Sequence, residues 1–138
     1  MTGREIEAAA LIRCAVLLSD CQKNWDAPDH DTALDEALRI NQRVWTILQS
    51  ELANPDNPLP KKLREDLLSL SIFFDKRVIE VMAYPEPEKL NILIDINLNI
   101  AAGLNSSPNN EEKVENKEKD KDIVSMPSKG LSQTNIRV

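Results

Sequence analysis

Between Leu34 and Leu52 the apolar side chains recur at steps of three and four: Leu34, Leu38, Trp45, Leu48 and Leu52, with Asn41 holding the one polar place in the series. That period gathers the whole series on one face of an α-helix, whereas a strand would scatter it over both faces of a sheet. A helix over about Thr32 to Ala53 is predicted, with Asp31 as its N-cap. The same period recurs in Leu63, Leu67, Leu70, Phe74, Val78 and Val81, which predicts a helix from about Pro60 to Met82. A second apolar line on that helix, Leu68, Ile72 and Ile79, lies on a different side.

Two further helices complete the pattern. The first covers about Gly3 to Lys23, and Thr2 and Glu5 have the spacing of a capping box at its start. Ile6, Ala10, Leu17 and Cys21 form one stripe on it, and Leu11, Ala15, Leu18 and Trp25 form an adjacent one. This apolar arc is wider than one neighbour requires, so the helix either sits centrally or offers a face to a partner. The last covers about Glu88 to Ala102, with Leu90, Leu93, Ile94, Asn97, Ile100 and Ala101 inward and Gly103 as the C′ residue. Leu93–Ile96 alone also reads as a strand, but a lone strand has nothing to pair with, and helix is preferred.

The connections carry helix-stopping chemistry. Ala27-Pro28-Asp29-His30-Asp31 is a turn, and Asn54-Pro55-Asp56-Asn57-Pro58-Leu59-Pro60 is a rigid stretch that no helix crosses. Pro60 suits the first turn of the helix that follows. Tyr84-Pro85-Glu86-Pro87 ends that helix. The fold class is therefore all-α, a small bundle of about four helices. After Leu104 the composition changes: 105–122 holds one large apolar residue, Val114, among Asn, Glu, Lys and Asp. Such a segment buries too little surface to offset its ordering entropy, so 105–138 is predicted to be a disordered tail on a domain of residues 1–104.

Charge and composition exclude several classes of function. Residues 1–104 carry 11 Lys and Arg against 17 Asp and Glu, while 105–138 carry 6 of each. An acidic domain is repelled by phosphate backbones and by anionic lipid, which argues against direct nucleic-acid contact and a membrane surface. No apolar run approaches the roughly 20 residues of a membrane span, and no basic stretch precedes an apolar one as in a secretory signal. Cys14 and Cys21, seven residues apart on one helix, are separated by about 10.5 Å along its axis, beyond the roughly 7 Å reach of a disulfide. They read as small buried apolar residues. His30 is the only histidine, so a zinc site is not expected, and no cofactor is.

Catalytic constellations are not found. There is no Gly-rich phosphate loop, no G-x-S-x-G and no H-E-x-x-H. The neighbouring carboxylates Asp35-Glu36 and Glu65-Asp66 point about 100° apart on a helix and do not share a site. The sequence reads as a binding protein and not as an enzyme.

Three stretches then stand out: Ala37-Leu38-Arg39-Ile40-Asn41-Gln42-Arg43-Val44-Trp45; the Asn54–Pro60 loop followed by Leu68-Ser69-Leu70-Ser71-Ile72-Phe73; and Leu93-Ile94-Asp95-Ile96-Asn97-Leu98-Asn99-Ile100 with Gly103-Leu104. In this order they resemble the flagellar biosynthesis regulator FlaF family: an Asn-x-Arg-x-Trp helix, a Pro/Asn loop ending in Leu-Pro, a Ser-Leu-Ser segment and a closing Leu-Ile-x-Ile-Asn … Gly-Leu. The opening Gly3-Arg4-Glu5-Ile6-Glu7 resembles the start of that family's first long helix. The likeness covers about residues 3–104. Family members usually have a further stretch, often with a Tyr, before that helix, so a shortened N-terminus is expected here. The tail is not part of the family pattern.

The resemblance implies a cytoplasmic helper of flagellin, similar to a secretion chaperone, needed for flagellin synthesis and export. It also implies action alongside FlbT, which opposes such proteins at the level of flagellin translation. An adaptor or post-transcriptional regulator acting with FlbT on flagellin mRNA is the alternative. On the bottom-up side, Asn41 reads as a buried amide whose partners are Asp95 or Asn97 of the last helix. Trp45 reads as core with its N–H bonded. Arg43 lies off the stripe and is open to two readings, an ion pair with Asp95 or plain solvation. The line Leu68, Ile72 and Ile79 is either buried against the first helix or, if exposed, the surface for an apolar helix of a partner.

Overall fold

All of the stripe that begins at Leu34 is buried: Leu34, Leu38, Asn41, Trp45, Leu48 and Leu52, joined by Ala37. These residues lie on α2, His30–Ala53, the helix against which α1, Gly3–Lys23, and α3, Lys61–Ala83, both pack. A single 3-10 turn, Pro87–Lys89, leads into α4, Leu90–Lys117. The computed structural model describes residues 3–117, and among them there is no strand. Residues 93–96 are helical.

α1 and α2 run antiparallel, because Glu7 near the start of α1 meets Glu51 near the end of α2, and the Cys14 carbonyl faces Asn41 midway. α3 returns along α2: Phe74 stacks on Trp45 with ring centroids 4.5 Å apart, and Gln49 Nε2 donates to Asp75 Oδ2 at 2.7 Å. The start of α4 is tied to the end of α1 by Gln22 Nε2, which donates to the Pro87 carbonyl at 2.8 Å and to Asn91 Oδ1 at 2.6 Å.

The Asn54–Pro60 loop is held by its own asparagines. Asn54 Oδ1 accepts from the Asp56 N–H and Asn57 Oδ1 from the Leu59 N–H, both at 2.9 Å, while Asn57 Nδ2 caps the Glu51 carbonyl. These side-chain turns supply partners that prolines cannot. Pro60 stands just before α3 as its N-cap.

Several sequence expectations are corrected at the element ends. α2 starts at His30, so Asp31 lies within its first turn; Asp29 takes the cap place without a side-chain cap bond. Ile6, expected inside, is exposed, and Ala10, Leu17 and Trp25 are half-buried. The true inner line of α1 is Ala8, Leu11, Cys14, Ala15, Leu18 and Cys21, in which small residues outnumber large ones. Leu63 is exposed, and Leu67 and Leu70 are half-buried, because the first half of α3 is incompletely covered.

α4 does not stop at Gly103. Gly103 lacks the left-handed backbone of a C′ residue, so it offers no αL cap, and helical backbone continues to Lys117. Ser106 Oγ donates to the Gly103 carbonyl at 3.1 Å. The chain divides at Ala102/Gly103 into two units, the first holding the bundle. The capping role of Thr2 and, of the tail expected over 105–138, residues 118–138 lie outside the described residues.

Candidate interaction surface

Two groups of residues marked out by the sequence lie in opposite surroundings. The first is interior. Asn41, Trp45 and Asn97 are buried together, brought into contact by α2 and α4. Trp45 Nε1 donates to Asn97 Oδ1 at 2.8 Å, and Asn97 Nδ2 donates to Asn41 Oδ1 at 2.8 Å. Asn41 Nδ2 donates to the Ala37 carbonyl one turn back at 2.9 Å, and to the Cys14 carbonyl of α1 at 3.4 Å. The chain of bonds thus runs from α4 through α2 to α1. A buried amide without partners costs about 1–3 kcal/mol, and here both amides and the indole N–H are bonded.

Of the two partners foreseen for Asn41, the structure places Asn97 there. Asp95 is exposed and does not reach the cluster; burial of part of its surface raises its pKa. Arg43 is exposed and forms no ion pair with Asp95 among the described residues. Ser71 completes the interior of α3: it is fully buried, and its Oγ donates to the Leu68 carbonyl at 2.6 Å. Its place in the Ser-Leu-Ser segment was the available signal, since a small hydroxyl that bonds its own helix can stand on a core face.

The second group is outward. On α3 the buried positions are Ser71, Phe74, Val78 and Val81. Ile72 and Ile79 lie away from these, 55% and 60% exposed, and Leu68 is half-buried beside them. Phe73 and Met82 are exposed as well, with the Arg77 guanidinium 5.8 Å over the Phe73 ring. Single exposed apolar residues are ordinary; a line of them along one helix is the feature that marks a contact surface. Its spacing, 68, 72 and 79, is that of a helix made to face another helix.

Burial shifts the acidity of a few side chains. Burial raises the pKa of Glu7 to about 7, helped by its hydrogen bond and charge repulsion with Glu51, while Arg4 opposes the shift. Burial pushes the Cys14 thiol up to about 11 and also raises Cys21; both are free and stay protonated near neutral pH. Among the described residues no group of three or more His, Cys, Asp or Glu side chains is placed to hold a metal ion, and no helix is long and apolar enough to cross a membrane.

The family model described as flagellar protein FlaF matches residues 1–104. No curated protein and no solved structure matches the chain.

Proposed function

The chain belongs to the FlaF family of flagellar proteins, and from that premise we propose that it binds unassembled flagellin as a chaperone-regulator that promotes flagellin synthesis and export. The bound element is an apolar helical segment, and the surface that takes it is the line Leu68, Ile72 and Ile79 on α3. The observation that carries this reading is the exposure of Ile72 and Ile79, 55% and 60%, on the side of α3 away from Phe74 and Val78. An amphipathic helix laid on such a line buries apolar area on both partners, by the helix-on-groove mode of recognition. The terminal coiled-coil regions of flagellin have apolar stripes with nothing to pack on before assembly, which makes them fitting partners. The domain works in the cytoplasm, where flagellin is made.

Mixing the chain with monomeric flagellin on a sizing column tests the reading. A complex is expected with the unmutated chain, and its loss with Ile72→Asp combined with Ile79→Asp. Both positions are exposed, so helicity should be retained. No complex at tens of micromolar would overturn the chaperone reading and leave regulation with FlbT at the level of flagellin mRNA.

A further inference from the structure

α1 carries apolar residues around its whole circumference, and the described residues cover only one side of it. On the uncovered side stand Glu5, Ala9, Ile12, Val16, Ser19 and Lys23, at steps of four, three, four, three and four. That is the seam spacing of a coiled coil. Ile12 is 39% exposed and Val16 47%; Ala9, Glu5 and Lys23 are exposed, and Ser19 is half-buried.

The series reads as its own complement when reversed. Turned end for end, Glu5 meets Lys23, Ala9 meets Ser19, and Ile12 meets Val16. Opposite charges fall on each other at both ends, two small residues face across, and two β-branched residues meet at the centre. The helix dipole accounts for an acid at the start and a base at the end. It does not account for matched sizes between them.

We infer that the outer face of α1 is a two-fold interface between two copies of this chain, α1 packing antiparallel on α1 of the second copy with Ile12 against Val16. A two-fold interface must be self-complementary, residue i facing j and j facing i, and this face is. Parallel, in-register pairing would set Glu5 on Glu5 and Lys23 on Lys23, so charge selects the antiparallel arrangement. The interface is independent of the α3 line, which each copy keeps open. The pair therefore presents two partner surfaces, which raises avidity for a substrate with two apolar helical ends.

Sedimentation equilibrium of the full chain, without flagellin, tests the inference from about 10 to about 300 μM, the range in which a small helix-pair interface dissociates. A mass rising toward twice the monomer's 15.6 kDa is expected. Ile12→Asp should raise the dimer dissociation constant at least about tenfold, since it removes the central contact. Lys23→Glu alone should raise it roughly fivefold, because rim charges contribute modestly. Mixing Lys23→Glu with Glu5→Lys should restore association as a mixed pair, which a merely structural role for these residues would not produce. A chain that stays monomeric at the highest concentration overturns the inference and leaves the face to a different partner. A dimer indifferent to Ile12→Asp overturns it as well. A dimer weakened by Ile12→Asp but blind to the charge exchange overturns the antiparallel register.

Discussion

The inner face of α2 and the outer face of α3 are written in the same alphabet: large apolar residues in helical register, at steps of three and four on α2 and of four and seven on α3. One is closed and the other is open. On α2 the stripe meets α1, α3 and α4, and its polar member Asn41 finds Asn97 and two carbonyls. On α3 the closed stripe is the one through Phe74 and Val78, with Phe74 stacked on Trp45, while Ile72 and Ile79 are 55% and 60% exposed. Periodicity reports that a face is fit to be covered; it does not report which faces the chain itself covers. The difference is made by a polar residue inside the stripe. A buried amide is tolerable only where a specific neighbour is present, so Asn41 marks a face closed by the same chain. The α3 line holds no buried amide: the turn between Ile72 and Ile79 carries the charged Asp75 and Lys76.

The comparison breaks most readily at the closed face. Asn97→Leu removes the acceptor of the Trp45 N–H and the donor to Asn41 Oδ1, leaving two buried groups unpaired. The expected loss is roughly 1–3 kcal/mol for each orphaned group, read as a lower urea midpoint. A midpoint unchanged from the parent would show that the cluster contributes nothing to closing the face. Asn41→Leu should have a somewhat smaller effect of the same kind, while Arg43→Ala, at an exposed position, should stay within about 0.5 kcal/mol. Equal responses at 41 and 43 would contradict the contrast.

A pH titration sharpens the same boundary where α1 meets α2. In the fold Glu7 is raised from 4.5 to about 7, by partial burial first and by Glu51 second. The folded state then holds a proton that the unfolded chain releases at lower pH. Stability from this group is present below pH 4.5 and is lost as pH rises toward 7. Solvent screening keeps the effect modest, since Glu7 is only partly buried. Glu7→Gln should flatten the thermal midpoint against pH over that window. A parent whose midpoint rises across it would contradict the assignment. At the open face, Ile72→Ser with Ile79→Ser should move the midpoint least of all, within about 0.5 kcal/mol per site. A large loss would mean that the line is closed by the chain after all.

Much of the architecture was legible before any coordinates, and the gaps have physical causes. The connection at 54–60 is marked by proline, which cannot propagate a helix, and by asparagine, which can bond its own turn. The α2 stripe was readable residue by residue because large side chains with one period have one solution. α1 was read less well. Ala8 and Cys14 are core and Ile6 is not, since small residues at a close helix contact carry little weight in a hydrophobic pattern. Gly103 resembled a stop, but glycine permits a left-handed turn without requiring it. For the candidate site, the spacing of Ile72 and Ile79 showed a second face, and only the structure showed it uncovered. The partner of Asn41 could not be chosen between Asp95 and Asn97, because positions two apart on a helix point about 200° apart and the phase of α4 was unknown.

The account rests on the open face of α3 being the flagellin-binding surface, and calorimetric titration of monomeric flagellin into the full chain tests it most directly. The unmutated chain is expected to bind, and Ile72→Asp combined with Ile79→Asp is expected to abolish binding while far-UV circular dichroism stays unchanged. Binding of undiminished affinity by that folded double variant would contradict the claim.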